Sequence, residues 1–137
     1  MNREEMMRKI PHRDGMLLLD SVTCQNGEAV GIKQILPDEP LLLTVQGKKV
    51  YPSFLFPELM AQTALFTADC EGKIPLLLGI RNFSANDYAF SGECLRVTAV
   101  SAYFSGSAGQ ADCRILCEDR MIAEGKILYC LKEGISI

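Results

Sequence analysis

The fold of this chain is decided by residues 54–70, FLFPELMAQTALFTADC. This stretch has no glycine and no alternation of polar and apolar residues, so it does not have the pattern of a strand. Its only proline, Pro57, comes near the start, and a helix tolerates proline in its first turn but not deeper. The stretch therefore predicts a helix over residues 54–70, with Glu71 and Gly72 as its stop.

Few strongly polar side chains interrupt this predicted helix. Glu58, Gln62 and Asp69 are spaced by four and seven positions, and this spacing puts them on one stripe of the helix surface. The rest of that surface is apolar, so we expect the fold to enclose the helix on most sides. Asp69, at the far end of the stripe, is expected to be solvated.

Before this helix, the sequence predicts a shorter helix and a hairpin. The charged residues Asn2–Lys9 favour a short helix. The apolar runs Met16–Val22 and Ala29–Leu36 flank Asn26–Gly27, and an Asn-Gly pair between two such runs is a strong hairpin signal. Residues 37–53 contain prolines, glycine and lysines and are predicted to be mostly irregular.

After the helix, the sequence predicts strands to the end of the chain. Residues 75–80 form a short continuous apolar run, the pattern of a strand buried on both faces. An antiparallel meander of three longer strands follows, with turns near 105–107 and 118–120 and the last strand over Met121–Leu131. We expect an α+β fold over one domain, residues 1–137, with a long central helix wrapped by an antiparallel sheet of five or six strands. Open edges of such a sheet commonly pair across a dimer.

Composition excludes several classes of function. The chain has 137 residues, 48% of them hydrophobic, a net charge of -3 and a single histidine. No apolar run is long enough to span a membrane, the first residues lack a signal-peptide pattern, and the scattered lysines and arginines form no basic patch for nucleic acid. One histidine and six cysteines without a CxxC pair give no metal-ligand spacing. We expect a cytoplasmic protein with reduced cysteines and neither metal nor cofactor.

Glu58 is the residue whose surroundings most favour chemistry. The amino terminus of a helix stabilises an ionised carboxylate in its first turn, whereas burial stabilises the protonated form. Such a group can act as a general acid or base near neutral pH, or it can simply complement the helix dipole. Gln62, one turn further on, can orient this carboxylate by a hydrogen bond, or it can be a polar residue satisfied within the helix packing.

Two residues before the helix are further candidates. Ser53 can cap the helix, or its backbone N–H can bind a ligand oxygen. His12 lies in IPHRDGMLLLD, and a lone histidine before a strand is more often structural than functional. The chain contains no Ser-His-Asp set, dinucleotide-binding fingerprint or phosphate-binding loop.

Two segments resemble the FabZ branch of the 3-hydroxyacyl-[acyl-carrier-protein] dehydratases. Residues 10–22, IPHRDGMLLLDSV, are similar to the LPHRYPFLLVDRV-type motif that opens these enzymes. Residues 51–64, YPSFLFPELMAQTA, are similar to their helix motif, MPGVLIIEALAQ. The ApeP-like dehydratases of aryl-polyene clusters resemble the chain more closely still, in the Pro-Ser-aromatic start of the motif, in ELMAQ and in the ending IAEGKIL. The chain is identified as a member of this subgroup.

This resemblance implies the hotdog fold, a long helix wrapped by an antiparallel sheet and paired as a dimer. In this family the active sites lie at the dimer interface, at the end of a tunnel that takes an acyl chain on a phosphopantetheine arm. A histidine removes the α proton of the substrate, and a glutamate of the other subunit protonates the leaving hydroxyl. Backbone amides at the start of the helix bind the thioester carbonyl.

Site residues follow from the same resemblance. Glu58 matches the catalytic glutamate, but Thr44 stands where the family has its histidine, and threonine cannot act as a base near neutral pH. His12, which the ApeP-like proteins keep, is the implied replacement, provided that its imidazole lies within about 6 to 7 Å of a Glu58 carboxylate. Ser53 stands where the family has the glycine whose amide binds the thioester. The implied substrate-binding positions are Ser53, Phe54, Gln62 and Thr44.

Three functions stay open on the sequence. The first is a dehydratase of fatty-acid or aryl-polyene-type biosynthesis that acts on a thioester of acyl carrier protein or CoA. The second is a catalytically silent hotdog subunit that binds an acyl thioester and pairs with an active dehydratase. The third is a hotdog thioesterase that uses Glu58. All three imply an acyl tunnel and a homodimer, a larger homo-oligomer or a heterodimer.

Overall fold

The computed structural model describes residues 1–12, 14–69 and 73–133. Within these ranges the chain forms two α-helices and eight strands, with 3₁₀ turns at Asp14–Met16 and Ser53–Leu55. In chain order the helices and strands are α1 (Arg3–Lys9), β1 (Ser21–Gln25), β2 (Glu28–Gln34), β3 (Leu43–Val45), β4 (Lys48–Val50), α2 (Phe56–Leu65), β5 (Lys73–Ala85), β6 (Cys94–Ser105), β7 (Ala108–Cys117) and β8 (Arg120–Glu133).

Six of these strands form one antiparallel sheet in the order β1–β2–β6–β7–β8–β5. The predicted meander is confirmed, since β6, β7 and β8 pair in sequence order. The predicted hairpin turn is also confirmed: Asn26 and Gly27, between β1 and β2, have φ values of 53° and 78°, and a two-residue turn of type I′ requires positive φ at both positions. Strands β1 and β5 are the edges of the sheet.

The short N-terminal helix is confirmed as α1. The side chain of Asn2 caps it by accepting a hydrogen bond of 2.9 Å from the Glu5 N–H. Met6 is its buried residue and joins the core. No helix in the described part of the chain combines the length and the apolar character needed to cross a membrane.

Helix α2 is shorter than the sequence predicts. The chain enters it through the 3₁₀ turn Ser53–Leu55, and the α-helix ends at Leu65. At this end the Thr67 N–H and the Thr67 hydroxyl both donate to the Ala64 carbonyl, at 3.0 and 2.7 Å, so the chain leaves the α-helix through a tighter i→i+3 turn. Cys70 and the predicted stop at residues 71–72 lie outside the described residues.

The sheet wraps α2 closely, as predicted. Phe56, Leu59 and Met60 are each at most 1% exposed, and the helix contacts β2, β5, β6, β7 and β8. Burying each such side chain contributes roughly 1.5–3 kcal/mol. Strand β2 comes closest at Gly31, where an added Cβ would lie 2.8 Å from the hydroxyl oxygen of Thr63. Only glycine allows the strand and the helix to approach this closely.

The first strand of the predicted hairpin begins later than Met16. A 3₁₀ turn ends at Met16, residues 17–19 belong to no helix or strand, and β1 begins at Ser21, so only residues 21–22 of the apolar run are in the strand. The reason is that the side chains of Arg3 and Gln62, and not a neighbouring strand, bind the backbone of residues 16–19. Bonding to β2 starts at Asp20, whose N–H donates to the Ile32 carbonyl at 2.8 Å.

Residues 37–53 are less irregular than predicted. They contain the β3–β4 hairpin, which stands apart from the main sheet. Its turn at Gln46–Gly47 has φ values of 50° and 78°, the same turn geometry as between β1 and β2. Each strand is three residues long and mostly exposed, so the sequence carries no alternation that would have indicated them.

Residues 75–80 are not buried on both faces within the chain, contrary to prediction. They belong to β5, an edge strand with β8 as its neighbour in the sheet. Leu77 and Leu78 are 51% and 59% exposed. The apolar run thus forms a long hydrophobic edge, and edges of this kind favour pairing with a second chain.

Candidate active site

Glu58 lies in the first turn of α2, where its side chain is 37% exposed. The residues that follow it, Leu59 and Met60, are fully buried. Pro57, the residue before it, has no N–H to donate. A helix tolerates this in its first turn, because a backbone N–H there has no partner within the helix. The helix therefore presents one carboxylate from an otherwise enclosed segment.

His12 reaches this carboxylate from the loop that follows α1. Its Nε2 lies 3.3 Å from Glu58 Oε1, and its side chain is 21% exposed. This distance is well inside the reach of about 6 to 7 Å that a direct or water-mediated contact requires. The structure thus brings together the two residues expected to be catalytic, and both belong to the same chain.

Gln62 connects this pair to the rest of the fold. Its Nε2 donates to Glu58 Oε1 at 2.9 Å and to the Met16 carbonyl at 2.7 Å. Its Oε1 accepts the Leu18 N–H at 2.9 Å. Gln62 is fully buried, and these bonds satisfy its amide. Its contacts fit both expected roles, since it is a satisfied polar residue within the packing that also binds the carboxylate, and it binds the segment that follows His12.

The hydrogen bond from His12 holds the pKa of Glu58 below its usual value of 4.5, and the bond from Gln62 acts in the same direction. Burial raises the pKa but does not outweigh these bonds. Glu58 is therefore a carboxylate at neutral pH, and in the resting protein it can act as a base. Both bonds fall on Oε1, so Oε2 is the oxygen that none of the described residues binds.

A small apolar cavity of about 80 Å³ adjoins the pair. Ala61 and Leu65 line it from the face of α2 that carries Glu58, and residues 75–77 of β5 and two residues of β8 complete it. Small-molecule sites in proteins are mostly apolar, with a few placed polar groups. An apolar cavity beside an ionised carboxylate can hold a small apolar group next to a base.

A larger cavity of about 430 Å³ opens at the start of α2, between the β3–β4 hairpin and residues 85–88. Ser53 lines it and is exposed. The expectation that Ser53 caps the helix is wrong: Pro52 holds the cap position of the 3₁₀ turn, and no side chain makes a capping bond there. The expectation that its backbone N–H binds a ligand oxygen stays a prediction. The next residue, Phe54, is 64% exposed.

Thr44 is not brought to the pair within one chain. It lies exposed on β3 and lines neither cavity. Asp69 lies beyond the end of α2 and is exposed, as expected. The site within one chain therefore centres on His12, Glu58 and Gln62.

Sequence reasoning missed the walls of the smaller cavity. Ile127 and Tyr129 of β8 line it from one face of that strand, and the Tyr129 hydroxyl lies 3.4 Å from Thr67 Oγ1. The alternation of β8 was visible in the sequence, but the strand order that brings β8 beside β5 was not. In the described part of the chain, no cluster of three or more His, Cys, Asp or Glu side chains could hold a metal ion.

Comparison with known proteins extends the resemblance along the whole chain. A family model described as ApeP-like, ApeP dehydratase, matches residues 4–131. The 3-hydroxyacyl-[acyl-carrier-protein] dehydratase FabZ of Syntrophomonas wolfei is 29% identical over 138 residues, with 96% of each chain covered. The FabZ dehydratase of Anaplasma phagocytophilum is 27% identical over 143 residues, which cover 97% of this chain and 99% of that protein.

A solved structure agrees with the fold. The dehydratase heterocomplex ApeI:P from Xenorhabdus doucetiae contains a chain that is similar with a TM-score of 0.79 and 19% identity. The match covers 94% of this chain and 91% of that one. At this identity the likeness shows the fold alone, and it is the α+β hotdog fold expected from the sequence.

Proposed function

Because the chain belongs to the ApeP-like dehydratase family and is a FabZ-like hotdog protein, we propose that it removes water from a 3-hydroxyacyl thioester. The observation that carries this proposal is the contact of 3.3 Å between His12 Nε2 and Glu58 Oε1 beside an apolar cavity. A proton-transferring group beside an apolar cavity is the minimum that such an elimination needs.

Glu58 performs both proton transfers. Its Oε2 takes the α proton as the carbon–carbon double bond begins to form. The carboxyl group so formed gives this proton to the 3-hydroxyl, and the carbon–oxygen bond breaks to release water. The products are a 2-enoyl thioester and water, and Glu58 returns to its ionised state. Because one group serves both steps, the proton and the hydroxyl leave from the same face of the substrate.

His12 and Gln62 support this chemistry from the other carboxylate oxygen. Their hydrogen bonds to Oε1 keep Glu58 ionised and fix its direction. His12 is thus the histidine next to the glutamate, whereas the family resemblance implies a histidine at the position of Thr44. Thr44 takes no part in proton transfer, because a threonine hydroxyl is not a base near neutral pH.

The substrate is carried on a phosphopantetheine arm, either of acyl carrier protein or of CoA. The FabZ relatives carry acyl carrier protein in their names, which favours that carrier. The cavity of about 430 Å³ at Ser53 offers room for the arm. Phe54, the exposed residue that follows Ser53, does not line it. The described cysteines are free thiols, in keeping with a reducing compartment such as the cytoplasm.

Assembly through the β5 edge is part of this proposal. Strand β5 is 13 residues long, has an open edge and exposes several leucines. A second hotdog chain can pair with this edge and continue the sheet. Residues 75–77 of β5 also line the smaller cavity, so the partner would stand close to the site. That partner is a second copy of this chain or a related dehydratase.

A non-catalytic subunit is the second candidate function. It is favoured by the similarity to a chain of a dehydratase heterocomplex and by Thr44 in the place of the family histidine. In that case the chain would bind the acyl thioester and complete the site of an active partner. This alternative predicts that the isolated protein binds substrate without turnover.

The direct test is incubation of the purified protein with a 3-hydroxyacyl-carrier protein, followed by mass spectrometry of the acyl group. We expect loss of one water and a 2-enoyl product. Release of free carrier thiol would indicate a thioesterase instead. Binding without any turnover would favour the non-catalytic subunit. In that case a separately purified active hotdog dehydratase would be added, and the rate of the mixture compared with the rate of that enzyme alone.

Replacing Gln62 by leucine is expected to move the acid limb of the kcat/KM profile to higher pH. The wild-type carboxylate is ionised, and so able to act as the base, at all pH values above its lowered pKa. Removing one hydrogen-bond donor raises the pKa of Glu58, because burial is then opposed by one bond fewer. The control is Gln25→Leu on the exposed part of β1, which should leave the limb in place. An unmoved limb in Gln62→Leu contradicts Glu58 as the titrating base.

A further inference from the structure

The segment after the His12 loop is bound alternately from two sides. Gln62 binds the carbonyl of residue 16 and the N–H of residue 18, at 2.7 and 2.9 Å. Arg3 Nη1 donates to the carbonyls of residues 17 and 19, at 2.7 and 3.1 Å. Successive residues of an extended chain face opposite sides, so the two side chains hold opposite edges of the same four residues.

The start of the His12 loop is fixed as well. Met6 and Ile10 are 0% and 3% exposed, and the Ile10 N–H donates to the Met6 carbonyl at 3.0 Å. His12 is therefore carried on a short loop between a buried anchor at Ile10 and the doubly bound segment 16–19. The place of its imidazole depends on both anchors.

We propose that Arg3 is a positioning residue for His12, in that it holds the segment 16–19 in the place that puts the imidazole against Glu58. This inference rests on the proposed function, because it assigns Arg3 a part in the same reaction. Arg3 lies on α1, does not line the cavity beside Glu58 and is half-buried. Guanidinium bonds to carbonyls are charge-assisted and stronger than neutral ones, which suits a side chain that must fix a loop.

The test compares Arg3→Met with Arg3→Lys and with a control on the same helix. Arg3→Met should lower kcat by about 10- to 100-fold with little change in KM, because a displaced His12 no longer holds the Glu58 carboxylate in place and a misplacement of about 1 Å costs rates of this order. Arg3→Lys keeps one charged donor and should lose less. Arg8→Met removes an exposed arginine of α1 whose partner is Glu4, and it should leave kcat unchanged. Thermal unfolding of all three variants measures any loss of stability separately.

A double substitution distinguishes positioning from a general structural role. If Arg3 acts through His12, Arg3→Met should lower kcat no further in a His12→Asn background. An equal loss in both backgrounds overturns the inference. A His12→Asn variant with the wild-type kcat also overturns it, while leaving dehydration by Glu58 standing.

The single histidine of the chain provides a readout that needs no activity. Because there is one histidine, the NMR signals of the carbon-bound imidazole protons belong to His12 and need no assignment by mutation. Arg3→Met should shift or broaden this set, and Arg8→Met should leave it unchanged. If the wild-type protein dehydrates no substrate, the proposed function fails, yet moved His12 signals still support the positioning by Arg3. Unmoved signals overturn it.

Discussion

Replacing Glu58 by glutamine is expected to lower kcat for dehydration by about 10²- to 10⁴-fold, the usual contribution of a positioned acid–base group. Glutamine has the same shape, and its Oε1 can still accept the bonds from His12 and Gln62. What the substitution removes is the basicity of the ionised carboxylate. The measurement is the rate of 2-enoyl product formation from a 3-hydroxyacyl thioester at saturating substrate.

The control for this substitution is Glu4→Gln, an exposed acidic residue of α1. It should leave kcat unchanged, and both variants should unfold at nearly the wild-type temperature. A Glu58→Gln protein that works at the wild-type rate refutes Glu58 as the acid–base group. If Glu58→Gln still binds the acyl thioester, the loss belongs to the chemical step and not to substrate binding.

Mixing the Glu58→Gln and His12→Asn variants tests whether the pair lies within one chain. Mixed dimers of the two should be no more active than the two variants measured separately, because each chain then lacks one member of the pair. A pair formed between two chains would instead leave one intact site in each mixed dimer. Native mass spectrometry shows whether the chains have exchanged. Recovered activity would contradict the contact within one chain that the structure describes.

Local patterns in the sequence were sufficient for most of the sheet and for the start of the helix. The meander strands alternate with period two, and Asn26–Gly27 specifies its own turn, so neither depends on distant residues. The end of α2 was predicted too far along the chain. It lies at a turn in which the Thr67 N–H and hydroxyl both bind the Ala64 carbonyl, and such a turn has no clear sequence signal.

Features that depend on distant partners could not be predicted from pattern alone. The run at residues 16–19 has the composition of a strand, but its hydrogen bonds go to Arg3 and Gln62. A lone histidine such as His12 has no pattern to interpret, and only the family resemblance suggested that it lies near Glu58. An apolar run such as residues 75–80 has the same sequence pattern whether it is buried within its own chain or covered by a second chain. In each case the sequence shows the residue type, and the tertiary structure supplies its partner.

Replacing Leu78 by lysine is expected to separate the assembled protein into monomers. Leu78 is 59% exposed on the open edge strand β5, at an irregularity in its pairing with β8, and it does not line the cavity beside Glu58. Proteins use lysine at sheet edges to prevent such pairing. In a symmetric dimer each chain would bring its lysine to the same interface, so we expect the dissociation constant to rise by about 100-fold or more.

Light scattering over a range of concentrations measures this change, and Thr23→Lys provides the matched control. Thr23 is exposed on β1, the other edge of the same sheet, so the control adds the same charge to the edge that we do not assign to assembly. It should leave the mass in solution unchanged. Dissociation by Thr23→Lys but not by Leu78→Lys would move the interface to β1. If Leu78→Lys gives folded monomers, their kcat tests the site directly, and we expect it to fall. Residues 75–77 of the same strand line the cavity beside Glu58. Without a partner chain paired to β5, this side of the cavity is no longer held in place.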